Sequence, residues 1–340
     1  MQRTPLGVAV VGAGYWGPNL VRNFHASEDW SVRCVVERDG DRLERLLRLY
    51  PSIAGHREID EALSDPQVDA VALATPPRTH HALAVRAIEA GKHVLVEKPL
   101  AETHEAADDI CARARRAGVR LMTDHTFLYT GSVEKLRALR ESGELGKVYY
   151  IDSVRVNLGL FQESNVVWDL APHDVSIVNY ILDEMPSAVA LQLGACVHAK
   201  TPDVAFLTMW YPGGCLAHVH LSWLSPVKVR RTMISGSLKM AVWDDVEPTE
   251  KVYIYDKGVL LDPSSTTLQQ QMVSYRSGDL HVPLVDNREA LGKLIADFAA
   301  SIREGTPTRC DGAFGAGVVR VIEAALRSTE LDGVKVAVEP

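Results

Sequence analysis

The chain has 340 residues, 46% of them hydrophobic and 24% charged, with a formal net charge of −8. That composition supplies an ordinary globular core and excludes a largely disordered, collagen-like or low-complexity chain. The acidic balance argues against a nucleic-acid backbone as partner, and no run approaches the roughly 18 uncharged apolar residues that a membrane span needs.

The length predicts about two domains. In the first, two hydrophobic periods alternate. Leu6–Val11 is a continuous apolar run, the pattern of a strand buried on both faces. Tyr15–His25 reads as a helix, Ser31–Glu37 as a strand and Asp41–Tyr50 as a helix. Asp69–Thr75 is a strand closed by Pro76-Pro77, and His80–Ala90 is a helix stopped by Gly91. Val94–Glu97, Glu102–Ala117 and Arg120–Asp124 follow as strand, helix and strand. This alternation with short connections predicts a doubly wound parallel sheet over 1–125.

After residue 125 the rhythm changes. Helices are expected at Val133–Ser142 and 169–182, with a strand at Val148–Asn157 between them. Strand patterns then dominate: Ala188–His198, Val204–Tyr211, Cys215–Trp223, Arg230–Ser235 and Lys239–Trp243, with a hairpin signal at Pro212-Gly213-Gly214. Residues 256–285 read as an irregular loop or arm, and Glu289–Glu304 and Gly315–Ser328 as closing helices. The fold class is therefore α/β. A Rossmann-type sheet occupies 1–125, and 126–340 form an α+β domain with a large, mostly antiparallel sheet, one late helix able to pack back on the first domain.

The five cysteines (Cys34, Cys111, Cys196, Cys215 and Cys310) are odd in number and form no CxxC pair. Core thiols in a reducing cytoplasm are expected, rather than disulfides or structural zinc. The first apolar run is too short for a signal peptide, which fits a cytoplasmic protein.

The first strand runs into Gly12-Ala13-Gly14-Tyr15-Trp16-Gly17, a GxGxxG sequence between strand and helix. Gly12 permits the tight turn, Gly14 lets a pyrophosphate approach the backbone, and Gly17 lets helix and strand pack closely. The turn at Tyr15 and Trp16 opens the helix, whose N-terminus attracts phosphate. Glu37 ends the second strand, where a carboxylate can accept from ribose hydroxyls and repel a 2′-phosphate. That favours NAD over NADP, with neighbouring Arg38 able to offset part of the repulsion.

Lys98 follows the strand ending at Glu97, at the carboxyl edge where such sheets bind ligands. It is either a surface ammonium or a donor to a substrate oxygen, steadied by Pro99. Trp168-Asp169-Leu170-Ala171-Pro172-His173-Asp174 sets Asp169 and His173 one helical turn apart. Pro172 belongs in a first turn, so the helix is expected to start near Asp169. Asp169 is then an N-cap or a substrate group, and His173 a core histidine or a proton carrier. His125, Phe127 and Tyr129, after the last strand of the first domain, either line the substrate pocket or pack; so do Arg155 and Asn157 on a later strand. His218 and His220 alternate on one strand face without a third ligand at metal spacing, so no metal site is expected. Arg230-Arg231 reads as strand charge rather than a phosphate site.

Together, Gly12–Gly17, Glu37, Thr75-Pro76-Pro77 with Thr79-His80, Glu97-Lys98-Pro99, and Asp169 with His173 resemble the Gfo/Idh/MocA oxidoreductases. The resemblance spans nearly the whole chain, to Gly317–Ser328 and Gly333–Val338. It implies hydride exchange between NAD and a carbinol of a sugar, nucleotide sugar or cyclitol, in a homodimer or homotetramer. It further implies Lys98 and His173 as the catalytic pair, Asp169 in the substrate site, and Thr75, Pro76, His80 and Glu97 along the nicotinamide. Ser164-Asn165 stands where a glycine pair is often found, and Ser176 where an acid often follows the histidine, with Asp174 as a partial substitute. The region 165–174 looks most like members acting on nucleotide sugars and aminosugars. An inositol-type dehydrogenase and a non-catalytic NAD sensor are the alternatives.

Overall fold

The computed structural model describes residues 4–159, 165–197, 199–260 and 274–339. Its first elements are β1 (Leu6–Val11), α1 (Gly17–Ala26), β2 (Trp30–Val36), α2 (Gly40–Leu49), β3 (Ala54–His56), α3 (Ile59–Ser64), β4 (Ala70–Leu73), α4 (His80–Glu89), β5 (His93–Glu97), α5 (His104–Ala117) and β6 (Leu121–Asp124). All six strands are parallel, in the order β3-β2-β1-β4-β5-β6. Val8, Ala9, Val10 and all of β4 are inaccessible to solvent, which is why these strands read as unbroken apolar runs. The order reverses between β1 and β4, and the crevice beyond the strands' carboxyl ends at such a point is where this fold binds ligands. The sequence left β3 and α3 unassigned: β3 is three residues of Ala, Gly and His at the sheet edge, too short and polar for a period.

The chain continues through α6 (Gly131–Glu141), β7 (Val148–Leu158), α7 (Val166–Leu182), β8 (Ala188–Gly194), β9 (Val204–Trp210), β10 (Leu216–Ser222), β11 (Leu224–Gly236), β12 (Met240–Asp244), β13 (Val252–Tyr255), β14 (Gly258–Leu260), β15 (Ser274–Arg276), β16 (Leu280–His281), α8 (Ala290–Glu304), α9 (Gly312–Glu330) and β17 (Val336–Ala337). Nine of these strands form one sheet, β16-β13-β12-β11-β7-β10-β9-β8-β17, antiparallel except for β7 beside β10. Ala217, Val219 and Leu221 are buried toward α7, while Leu216, His218 and His220 alternate onto the other face. The stretch 256–285, expected to be irregular, carries the β14–β15 pair and β16 at the sheet edge. Its residues 261–273 lie outside the described ones, as do Ser164 and His198 from the expectations above.

Two compact units result: Met1–Tyr129 with Arg288–Arg320, and Thr130–Asn287 with Val321–Pro340. The sequence division left 288–320 with the second domain. They belong to the first because α8 packs on α1: Trp30 stacks on Phe298 at 5.5 Å, and its Nε1 donates to the Ile295 carbonyl at 2.9 Å. Arg22 adds a two-pronged ion pair to Glu289, at 2.9 and 2.6 Å. Cys34, Cys215 and Cys310 are core thiols as expected, but Cys196 is exposed. Among the described residues no helix is long and apolar enough to cross a membrane.

Candidate active site

In the first unit, the turn after β1 has the backbone that the glycines predict. Gly12 has φ +99°, and a Cβ there would lie 2.6 Å from the Ala74 carbonyl oxygen. At Gly17 a Cβ would meet the Gly12 carbonyl oxygen at 2.0 Å, so helix and strand close tightly only without one. Above Gly14 the space is open, its nearest neighbour being an Arg42 Nη1 at 3.9 Å. A cavity of about 390 Å³ borders the turn, lined by Gly14, Tyr15, Arg42, Arg45 and Leu46 among others. These residues fit a dinucleotide: tight where the turn packs, open where a pyrophosphate approaches.

Glu37 lies at the end of β2, one carboxylate oxygen accepting from the Ala13 amide at 2.6 Å and the other from Asp39 at 3.0 Å. The turn's own backbone thus holds this acid. Arg38, expected at the cofactor, instead points to solvent beside Glu58, 3.7 Å away. Arg42, one turn into α2, is the guanidinium that borders the cavity; the sequence offered no periodicity that singles it out.

His80 is fully buried, with Nδ1 2.8 Å from the Pro99 carbonyl and Nε2 2.8 Å from the Thr75 carbonyl. Burial lowers its pKa despite those two acceptors. It ties the loop after β4 to the loop after β5, and its ring nitrogens are occupied by backbone rather than presented to a ligand. Thr75 accepts a hydrogen bond from the Thr79 hydroxyl at 2.7 Å, and Pro76 caps the short 3₁₀ turn before α4.

At the ends of β5 and β6 the parallel register sets Glu97 beside Asp124. Burial, together with the Asp124 carboxyl beside it, holds Glu97 well above the usual carboxylate range. Asp124 also accepts from the Trp16 Nε1 at 3.3 Å and from the Thr126 hydroxyl. His125 is almost wholly buried, edge-on to Phe314 at 5.7 Å. Desolvation and the nearby Lys98 charge pull its pKa down to about 3, so it is a neutral imidazole. Lys98 therefore follows an acid whose ionisation burial opposes and lies near an uncharged imidazole. Tyr129, expected at the substrate, is a packing residue: it is buried, donates to Asp297 at 2.6 Å and lies under the Arg309 guanidinium. Phe127 sits half-buried in the 3₁₀ turn Thr126–Tyr129.

In the second unit α7 starts three residues earlier than the proline suggested. Asn165 is its cap, accepting from the Val167 and Trp168 amides at 3.0 and 3.1 Å. Pro172 is therefore inside the helix, where it cannot donate to the Trp168 carbonyl; burial of the helix on most sides holds it regardless. Asp169 is consequently no cap. Its Oδ2 accepts from the Trp223 Nε1 at 3.0 Å, and both it and Trp168 are half-buried. His173 follows one turn later on the same face. The Ser176 hydroxyl returns to the His173 carbonyl at 2.8 Å.

Arg155 and Asp174 form a buried ion pair, Nε to Oδ2 2.5 Å, with the Ser153 hydroxyl donating to the other carboxylate oxygen at 2.8 Å. Asp174, on the buried side of α7, thus has both oxygens occupied and does not replace the acid missing at Ser176. Arg155 is a structural cation rather than an open substrate contact, while Asn157 bonds locally to the Leu158 carbonyl at 3.3 Å.

Residues 6–125 match the oxidoreductase family with an NAD-binding Rossmann fold, and 133–242 match the GFO/IDH/MocA C-terminal domain. The chain belongs to the Gfo/Idh/MocA family. It is 27% identical over 340 residues to UDP-N-acetylglucosamine 3-dehydrogenase of Acidithiobacillus ferrooxidans, covering 97% of this chain and 96% of that one. It is also 27% identical over 229 residues to 2,7-anhydro-N-acetylneuraminate hydratase of Escherichia coli, where it spans 62% of its own length and only 60% of the relative's. GenD2 from gentamicin A biosynthesis, solved with NAD, superposes with TM-score 0.83 at 24% identity over 100% of this chain and 98% of that one, a likeness of fold. As in the family's first domain, the Rossmann unit here is NAD-binding. Asp124, which sequence reasoning passed over, was signalled only by its place at a strand's carboxyl end.

Proposed function

We propose that the chain is an NAD-dependent dehydrogenase or reductase acting on a carbinol carbon of a sugar, nucleotide sugar or cyclitol. The observation that carries this reading is Lys98 at the carboxyl end of β5, in the unit of the open glycine cradle, next to a neutral His125. NAD supplies the hydride acceptor when bound. Lys98 holds the substrate oxygen by donating to it, favouring the negative charge that grows there as the O–H proton leaves. His173 takes that proton in oxidation and returns it in reduction. Asp169, held by the Trp223 indole one turn earlier on α7, orients the substrate hydroxyls. The full-length similarity to a UDP-aminosugar dehydrogenase supports a nucleotide sugar first among the substrates.

Candidate UDP-sugars, free sugars and inositols are to be mixed with protein and NAD while NADH absorbance is followed. Lys98→Ala and His173→Ala should each cost about 10² to 10⁴ in turnover on the substrate found, with NAD affinity retained by calorimetry. Full turnover in Lys98→Ala overturns the reading. Substrate conversion without net NADH would favour a reaction without net redox change, as the name of the hydratase relative implies for that protein.

We further propose a homodimer or homotetramer built on the outer face of the large sheet. Phe206, Leu216 and Tyr150 share that face and are exposed. Light scattering reads the assembly, and Leu216→Arg with Phe206→Arg should shift it to monomer.

A further inference from the structure

The Trp16 side chain leaves the turn after β1 yet donates to Asp124 at the end of β6. β4 and β5 lie between those strands, so the contact bridges three strand spacings, roughly 14 Å. It is also the indole's use of a position that normally caps a helix: Trp16 is the N-cap of α1 and makes no side-chain cap bond. The acceptor is held in turn. Asp124 has one oxygen on Trp16 and the other on Thr126, and Glu97 is its register partner on β5.

We propose that Asp124 is a positioning residue for the glycine turn, gripping Trp16 while it shares one proton with its register partner Glu97. Two anions side by side in a buried site repel too strongly to coexist, and one shared proton turns the repulsion into a hydrogen bond. The proton belongs to Glu97. Asp124 receives two side-chain donors, Trp16 and Thr126, whereas Glu97 accepts from the Lys98 amide and its buried Oε1 has no donor among the described residues. The raised pKa of Glu97 agrees. The other titratable groups facing the pair do not supply a competing proton: His125 is neutral, and the buried Cys310 thiol is pushed far up by desolvation. Lys98, next to Glu97, favours the charged form without overcoming burial. Raising the pH until the pair loses its proton puts a second negative charge beside Asp124 and strains the grip on Trp16.

This inference uses the reading of the turn as the NAD site only in its last readout. The first is cofactor-free: infrared spectra of the whole protein at neutral pH should contain the C=O stretch of a buried carboxylic acid. Glu97→Gln should remove it, whereas Asp124→Asn should shift it without abolishing it, because burial, the larger influence on Glu97, still holds its proton once the neighbouring carboxylate is gone. The second is hydrogen–deuterium exchange of residues 12–19, expected to quicken in Asp124→Ala and in Trp16→Phe alike. The third is NAD affinity. Each of those two variants should weaken it about tenfold, the loss expected of one hydrogen bond to a charged group, and the double variant should weaken it no further. In the wild type the affinity should fall as pH rises through loss of the shared proton, and in Asp124→Asn it should be flat. A wild-type spectrum without the acid band, or additive effects of the two variants, overturns the proposal. An intact band and coupled exchange in a protein with no NAD-linked turnover would instead count against the dehydrogenase reading alone.

Discussion

Two clusters of buried carboxyls neutralise their charge in opposite ways. On the buried side of α7, Asp174 is matched by a cation: Arg155 and Ser153 fill its oxygens, and the Thr232 hydroxyl lies 3.0 Å from that of Ser153. At the ends of β5 and β6, Glu97 and Asp124 lie side by side and burial holds Glu97 well above the usual carboxylate range, beside a histidine that stays uncharged. A buried ion pair whose carboxylate has both oxygens occupied has little left to exchange, so the first cluster reads as a fixed structural joint. A proton shared between two acids can move, so the second reads as part of a working site. Similar residue types thus do different work because one strand end faces a ligand crevice and the other cluster lies between helix and sheet.

Breaking the fixed joint should have the largest effect. Arg155→Leu leaves Asp174 buried without its cation, which costs about 3 to 5 kcal/mol. Urea unfolding should show that loss. Adding Asp174→Leu should recover most of it, because the double variant buries no unpaired charge. A single variant as stable as the wild type would mean that the pair is solvated, and the contrast between the clusters would vanish.

The proton-bearing cluster is probed by pH. His125 titrates near 6.5 when unfolded and about 3 when folded, so below 6.5 the unfolded chain binds the extra proton. Stability is complete above that value and drains away as the pH falls toward 3. At about pH 4 the loss from this one group is on the order of 3 kcal/mol. Glu97 works in the other direction, since its raised pKa favours the folded state at low pH and less so above the ordinary carboxylate range. The clean measurement is therefore the stability of the wild type minus that of His125→Gln. That difference should shift in the variant's favour on acidification, and a constant difference from pH 7 to about 4 would show that the imidazole is hydrated after all.

The same contrast explains what the sequence disclosed. The glycine turn, the buried strands and Lys98 were legible because each depends on neighbours within a few residues: a run, a turn, a strand end. Neither cluster was legible as such. Arg155 and Asp174 stand on different elements 19 residues apart, and Glu97 and Asp124 meet only once β5 and β6 are in register. Arg38 was read at the cofactor for its nearness to Glu37 in sequence, whereas the helical rise of α2 brings Arg42 to the cavity. The start of α7 was misplaced because the proline rule weighs a lost backbone bond and ignores how much apolar surface the helix buries.

That last point gives the smallest expected effect. If α7 begins at Asn165 and not near Asp169, Asn165→Ala should remove two amide contacts and cost about 1 kcal/mol, visible as a modest drop in the unfolding midpoint. Asn165→Asp keeps an oxygen at the cap and adds an anion at the positive end of the helix, so it should match the wild type or exceed it slightly. Asp169→Asn distinguishes the alternatives, because as a cap it would be replaceable by asparagine without loss, whereas as the partner of the Trp223 indole it gives up a charge-assisted bond. Stability losses in both Asn165→Ala and Asp169→Asn, with Asn165→Asp unharmed, would fix the helix start and leave Asp169 and His173 a full turn inside it, on a rigid element suited to presenting them to a substrate.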